Sequence, residues 1–232
     1  TKMFKDKIVL ILGGTGSVGS AISQAFTREG AVSCCHGRGG EYAAELSKSA
    51  ATKDLIDRVF NKYGGIDIIV NSVSHPALVG MFGKKTWRDF SDHLNVQLKS
   101  CIETTQLVLP YMKQKRWGRI INILSSTTIG QPPASLSDYV TAKYALLGLT
   151  KCLARELGKF GINVNAVSPS FIKNSFTRNV PEKLTEIMIS QTPRGRLATP
   201  EDVAGTVLFL ASDAADFITG ENLIVSGGSI MD

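Results

Sequence analysis

Six continuous apolar runs alternate with helical patterns along the whole chain, and this alternation limits the fold more than any other feature. The runs are IVLIL (8–12), AVSCC (31–35), IDIIVN (66–71), RIINIL (119–124), INVNAVS (162–168) and NLIVSG (222–227). A strand that is apolar without alternation is buried on both faces. Between the runs lie GSAISQAFTREG, TKDLIDRVFNKYG, SDHLNVQLKSCIETTQLVLPYMK, YVTAKYALLGLTKCLARELGKFG and PEDVAGTVLFLASD, all patterned as helices. A strand–helix–strand series predicts a doubly wound parallel sheet of the α/β class, layered αβα, with right-handed crossovers. No linker, repeat or low-complexity segment interrupts it, so residues 1–232 read as a single domain.

Composition narrows the function classes. No apolar run approaches the ~20 residues that span a bilayer. The N-terminus lacks a signal-peptide pattern, so a cytoplasmic location is expected. The net charge of +6 comes from scattered residues, and the one dense run, KQKR at 113–116, falls where a helix should end. Cations suit that end of the helix dipole, so neither a nucleic-acid nor a membrane partner is expected. The four cysteines, Cys34, Cys35, Cys101 and Cys152, show no metal-ligand spacing and read as reduced core residues. His36, His75 and His93 do not cluster in the sequence, so no metal site is expected.

The stretch LGGTGSVGSAI, residues 12–22, follows the first strand and opens a helix. Gly13, Gly16 and Gly19 allow a tight turn and a close backbone approach, and the helix start offers N–H groups to a phosphate. Ligands in such sheets bind beyond the carboxyl ends of the strands, beside the first strand. A purely structural turn is the plainer reading. The second strand ends in HGR, where Gly37 takes the place of the acid that favours NAD, and Arg38 follows. An arginine there suits a 2′-phosphate, so NADP is preferred over NAD.

Tyr139 and Lys143, in SDYVTAKYA, are four apart and share a helix face. Alone the pair decides nothing. With the glycine turn, IVNSVS (69–74), RIINILSS (119–126), NVNAVSPSFIKNSF (163–176) and the segment from GRLATPEDV to IVSGG, the chain resembles the short-chain dehydrogenase/reductase family. The resemblance implies a Rossmann-like fold and hydride transfer between a nicotinamide cofactor and a carbonyl or secondary alcohol. Tyr139 is then the acid/base. Its free pKa of ~10 is too high for proton exchange near neutrality, and a Lys143 ammonium is expected to lower it. The serine is Ser125 counted along the strand from Asn122, or Ser126 counted back from Tyr139; Ser125 is favoured because a slip within a strand reverses its faces. The implied cofactor residues are Gly13, Thr15, Gly16, Ser17, Val18, Gly19, Arg38, Asn71, Ser72, Tyr139, Lys143, Pro169, Ile172 and Asn174. The resemblance also implies a substrate lid over residues 175–196 and a homo-oligomer, tetramer or dimer.

The chain departs from the family pattern in several places. Ser17 stands at the middle glycine, and only Asn71 remains of an Asn-Asn-Ala-Gly run. Gln97 occupies the place of a relay asparagine, while Asn95 falls two residues early. These changes motivate a rival reading, a nucleotide-binding or scaffold protein with impaired catalysis. Between Arg38 and Lys53 the chain is roughly fifteen residues too short for a crossover helix and a third strand. Either that strand is missing from the fold, or the printed chain omits a piece; the second is favoured, because the first leaves the second strand as a bare edge.

Overall fold

Every apolar run forms a strand within two residues of its expected ends. The computed structural model describes residues 2–37, 39–173, 177 and 180–231. The order is β1 (Ile8–Leu12), α1 (Ser17–Arg28), β2 (Val32–Cys35), α2 (Ser49–Tyr63), β3 (Ile68–Asn71), α3 (Trp87–Leu94), α4 (Ser100–Lys115), β4 (Gly118–Ile123), α5 (Ser137–Leu157), β5 (Ile162–Pro169), α6 (Glu182–Ser190), α7 (Pro200–Ala211) and β6 (Asn222–Val225). The strands form one parallel sheet in the order β2-β1-β3-β4-β5-β6.

Alternate residues of the central strands serve opposite layers. Val9, Ile11, Ile68, Val70 and Ile121 pack against Ile22 and Phe26 of α1 and Val203 and Val207 of α7. Leu10, Leu12, Ile69, Ile120 and Val164 pack against Leu55 and Val59 of α2, Val108 and Met112 of α4 and Leu157 of α5. This is why the strands read as unbroken apolar runs: each fully buried Leu or Ile contributes about 1.5–3 kcal/mol, and both faces are covered. Cys34 and Cys35 separate onto the two layers as expected, whereas Cys152 is exposed and is not a core residue. The basic run ends α4 as expected, with Arg116 in the left-handed region just beyond it.

Two features place the site. The chain runs from β2 on one side of β1 to β3 on the other, so the switch point lies at the carboxyl end of β1. Leu12 is in register with Asn71, and Asn71 with Asn122, which brings the ends of β1, β3 and β4 together. Among the described residues, the connection from His36 to Lys48 contains no strand and β2 pairs only with β1. Tyr42 and Leu46 fold under this segment and bury with Cys34 and Leu55, while Arg58 of α2 donates to the carbonyls of Glu41 and Ala43. Among the described residues no helix is long and apolar enough to cross a membrane.

Candidate active site

The turn after β1 is built so that no side chain intrudes. Gly13 has φ +79°, and a Cβ on it would stand 2.7 Å from the carbonyl oxygen of Ser72. A Cβ on Gly19 would overlap the Gly13 carbonyl, so packing requires both glycines, and at Gly13 the backbone conformation requires one as well. No side chain caps the start of α1 and no acid stands in its first turn. The first-turn N–H groups of Ser17, Val18 and Gly19 therefore have no side-chain acceptor, the arrangement that suits a phosphate. A phosphate-bearing cofactor fits these residues.

His36 completes the turn, a role that its sequence position did not suggest. The Gly13 N–H donates to His36 Nδ1 at 3.2 Å, and His36 Nε2 lies 3.0 Å from the Ala44 carbonyl oxygen. Those partners require a neutral ring with its proton on Nε2. Burial holds the His36 pKa below the usual histidine value. Next to it, a Cβ on Gly37 would overlap the side chain of Thr15. Arg38 and Asn174, both expected at the cofactor, lie outside the described residues. Pro169 ends β5, and Ile172 bridges to Ala198.

The second half of the site lies where β4 ends and α5 begins. Ser125 is extended, with its hydroxyl accepting from the Thr127 N–H at 3.3 Å. Of the two candidate serines, Ser125 is the one whose side chain acts on the Tyr139 phenol, favouring its ionised form. Lys143 Nζ donates to the Ile123 carbonyl at 2.8 Å and lies 5.7 Å from the centre of the Tyr139 ring. The expected electrostatics are reversed. Burial pushes the Tyr139 pKa above its ordinary value, with the Ser125 bond only partly offsetting it. Burial also lowers Lys143 to about 7, so the lysine is no longer a full-time cation able to stabilise a phenolate at neutral pH.

Gln97 is buried within a π-helical turn, Asn95–Lys99, that joins α3 to α4. The wider turn turns its carbonyl to Asn71, whose Nδ2 donates to it at 3.2 Å. Gln97 Nε2 lies 3.0 Å from His93 Nδ1. The side-chain oxygens Gln97 Oε1 and Asn71 Oδ1 are both buried without a partner in the protein. Unpaired buried acceptors are costly, so each of these two oxygens calls for a donor from water or a ligand.

Comparison with known proteins decides the family. A family model described as enoyl-(acyl carrier protein) reductase matches residues 13–229. A 3-oxoacyl-[acyl-carrier-protein] reductase, FabG, of Thermotoga maritima is 34% identical over 247 residues, covering 98% of this chain and 99% of that protein. The chain belongs to the short-chain dehydrogenase/reductase family. As a member it is an oxidoreductase of CH–OH and C=O groups. Two further relatives of this family have different substrates. The (2S)-[(R)-hydroxy(phenyl)methyl]succinyl-CoA dehydrogenase subunit BbsD of Thauera aromatica is 31% identical, covering 97% of this chain and 96% of its own length. A 3alpha-hydroxysteroid dehydrogenase of Mediterraneibacter gnavus is 31% identical, covering 98% of each chain.

Proposed function

We propose that this dehydrogenase/reductase transfers hydride between NADP(H) and a ketone or secondary alcohol, with Tyr139 as the acid/base. The observation that carries the reading is the Ser125–Tyr139 hydroxyl pair beside the buried Lys143 amine. Two hydroxyl donors set together suit a single oxygen that gains charge as a carbonyl is reduced. Ser125 orients that oxygen and Tyr139 gives it a proton. Lys143, which titrates near neutrality, exchanges protons on the Tyr139 side of the site. When bound, the cofactor supplies the hydride. Gly13, Thr15, Gly16, Ser17, Val18, Gly19, Asn71, Ser72, Pro169 and Ile172 hold it, with Arg38 and Asn174 in addition. The NADP preference is supported by Gly37: the side chain of Thr15 fills the space that an NAD-selecting carboxylate would need.

The substrate class follows from the relatives and the mouth of the site. The FabG and BbsD proteins above are named for an acyl-carrier-protein and a coenzyme A substrate. Leu78, Val79, Met81 and Phe82, after β3, are exposed and apolar. A 3-oxoacyl thioester is the first substrate to test, with an enoyl thioester as control. The cofactor reading is tested by titrating the protein with NADPH and NADH while following nicotinamide fluorescence. Tighter binding of NADPH is expected; preference for NADH overturns the NADP reading, and binding of neither overturns the nucleotide site.

A further inference from the structure

Three buried polar groups surround the start of α5 without belonging to the Ser125–Tyr139–Lys143 set. The Lys85 and Asp138 side chains are 6% and 2% exposed, and Lys85 Nζ stands 2.7 Å from Asp138 Oδ2. The other oxygen, Asp138 Oδ1, accepts from the backbone N–H of Tyr139 at 2.9 Å. His93 lies behind them, with Nε2 3.8 Å from Asp138 Oδ2 and its ring centre 5.8 Å from that of Tyr139. Lys85 also donates to the Leu78 carbonyl, so one ammonium ties the loop after β3 to the carboxylate. A second tie is the Gly80 N–H, which donates to the Ser135 carbonyl at 2.9 Å just before α5.

A buried ion pair is a poor source of stability, because desolvation offsets most of the attraction. What this pair supplies is geometry. One carboxylate holds the Tyr139 backbone with one oxygen and the loop with the other. That loop carries Val79 and Phe82, 81% and 73% exposed, with Leu78 and Met81 beside them. We infer that Lys85 and Asp138 are positioning residues: their ion pair locks the apolar loop 76–86 to the start of α5, making it the wall on which the apolar part of the substrate rests while its carbonyl meets Tyr139. The inference rests on the reading of Tyr139 proposed above.

The test uses the full chain and four variants. Lys85→Met/Asp138→Asn removes both charges together, leaving no uncompensated ion in the interior. Hydrogen exchange over 76–86 is expected to quicken by about tenfold, since opening of the loop no longer breaks the lock. KM for acetoacetyl-CoA is expected to rise by about tenfold, with the NADPH Kd unchanged within about twofold, and Lys85→Arg to recover most of the loss. Wild-type exchange over 76–86 in the double variant overturns the lock, and faster exchange with an unchanged KM overturns the wall. Phe82→Ser tests the wall from the surface, without disturbing the core; an unchanged KM counts against it. Tyr139→Phe separates the two readings, because it should lower turnover by at least about a hundredfold and leave exchange over 76–86 as in the wild type. Normal turnover in that variant defeats the Tyr139 reading, while the exchange data still judge the lock.

Discussion

Burial, more than any neighbouring charge, sets the protonation of Lys143. Its amine is satisfied by the Ile123 carbonyl, and its pKa falls from the usual lysine value to about 7. Between those two values the unfolded chain binds a proton that the native state does not, so native stability rises with pH across that window. Thermal unfolding of the cofactor-free protein should therefore show a midpoint that climbs from about pH 7 to about pH 8, below the range where the buried Cys34 and Cys101 thiols, pushed up to about 11, lower stability as pH rises, with most of the slope gone in Lys143→Met; an identical slope in both proteins contradicts the lowered pKa. Ser125 makes a second residue-level prediction. Ser125→Ala should lower kcat by about a hundredfold and Ser126→Ala by less than about threefold, as measured by steady-state turnover. The Tyr139–Lys143 pair was legible because a helix places i and i+4 on one face. The direction of the Tyr139 shift was not, because a sequence shows a partner but not the depth of burial. Lys85 and Asp138 were also hidden, being 53 residues apart and joined only by the fold.

Among the elements, the β1–α1 turn carries the strictest packing. Gly19→Ala puts a methyl group against the Gly13 carbonyl, so the turn must open. NADPH affinity is expected to fall by more than about tenfold while the far-ultraviolet circular dichroism stays as in the wild type. Unchanged affinity would show that the turn does not hold the cofactor. The strands were legible because unbroken apolar runs have one explanation in an αβα sandwich. The helix pattern over 91–113 was read as one piece, yet the structure divides it at the π-helical turn Asn95–Lys99. No periodicity announces such a turn. It forms where the Gln97 carbonyl is engaged by Asn71 from another layer, a contact that only the assembled sheet provides.

For the whole molecule, the sheet ends at β2, and the short connection takes over the protection of that edge. Tyr42 and Leu46 cover β2 and α2 in place of a further strand. Tyr42→Ala should cost about 3 kcal/mol, read as a lower urea midpoint, because a buried aromatic leaves a cavity that coil cannot refill. A loss below about 0.5 kcal/mol would mean that the segment does not seal the edge. The deficit of chain after Arg38 was visible in the sequence, since no apolar run stood there, but the way Tyr42 folds back was not. Hydride transfer from NADPH to a carbonyl, with protonation by Tyr139, is tested by supplying NADPH that carries deuterium at both hydrogen positions of the nicotinamide C4, together with a 3-oxoacyl thioester. Deuterium is expected on the carbinol carbon of the product, with turnover reduced about a hundred- to ten-thousandfold in Tyr139→Phe. A product without deuterium, or full turnover in the variant, would contradict it.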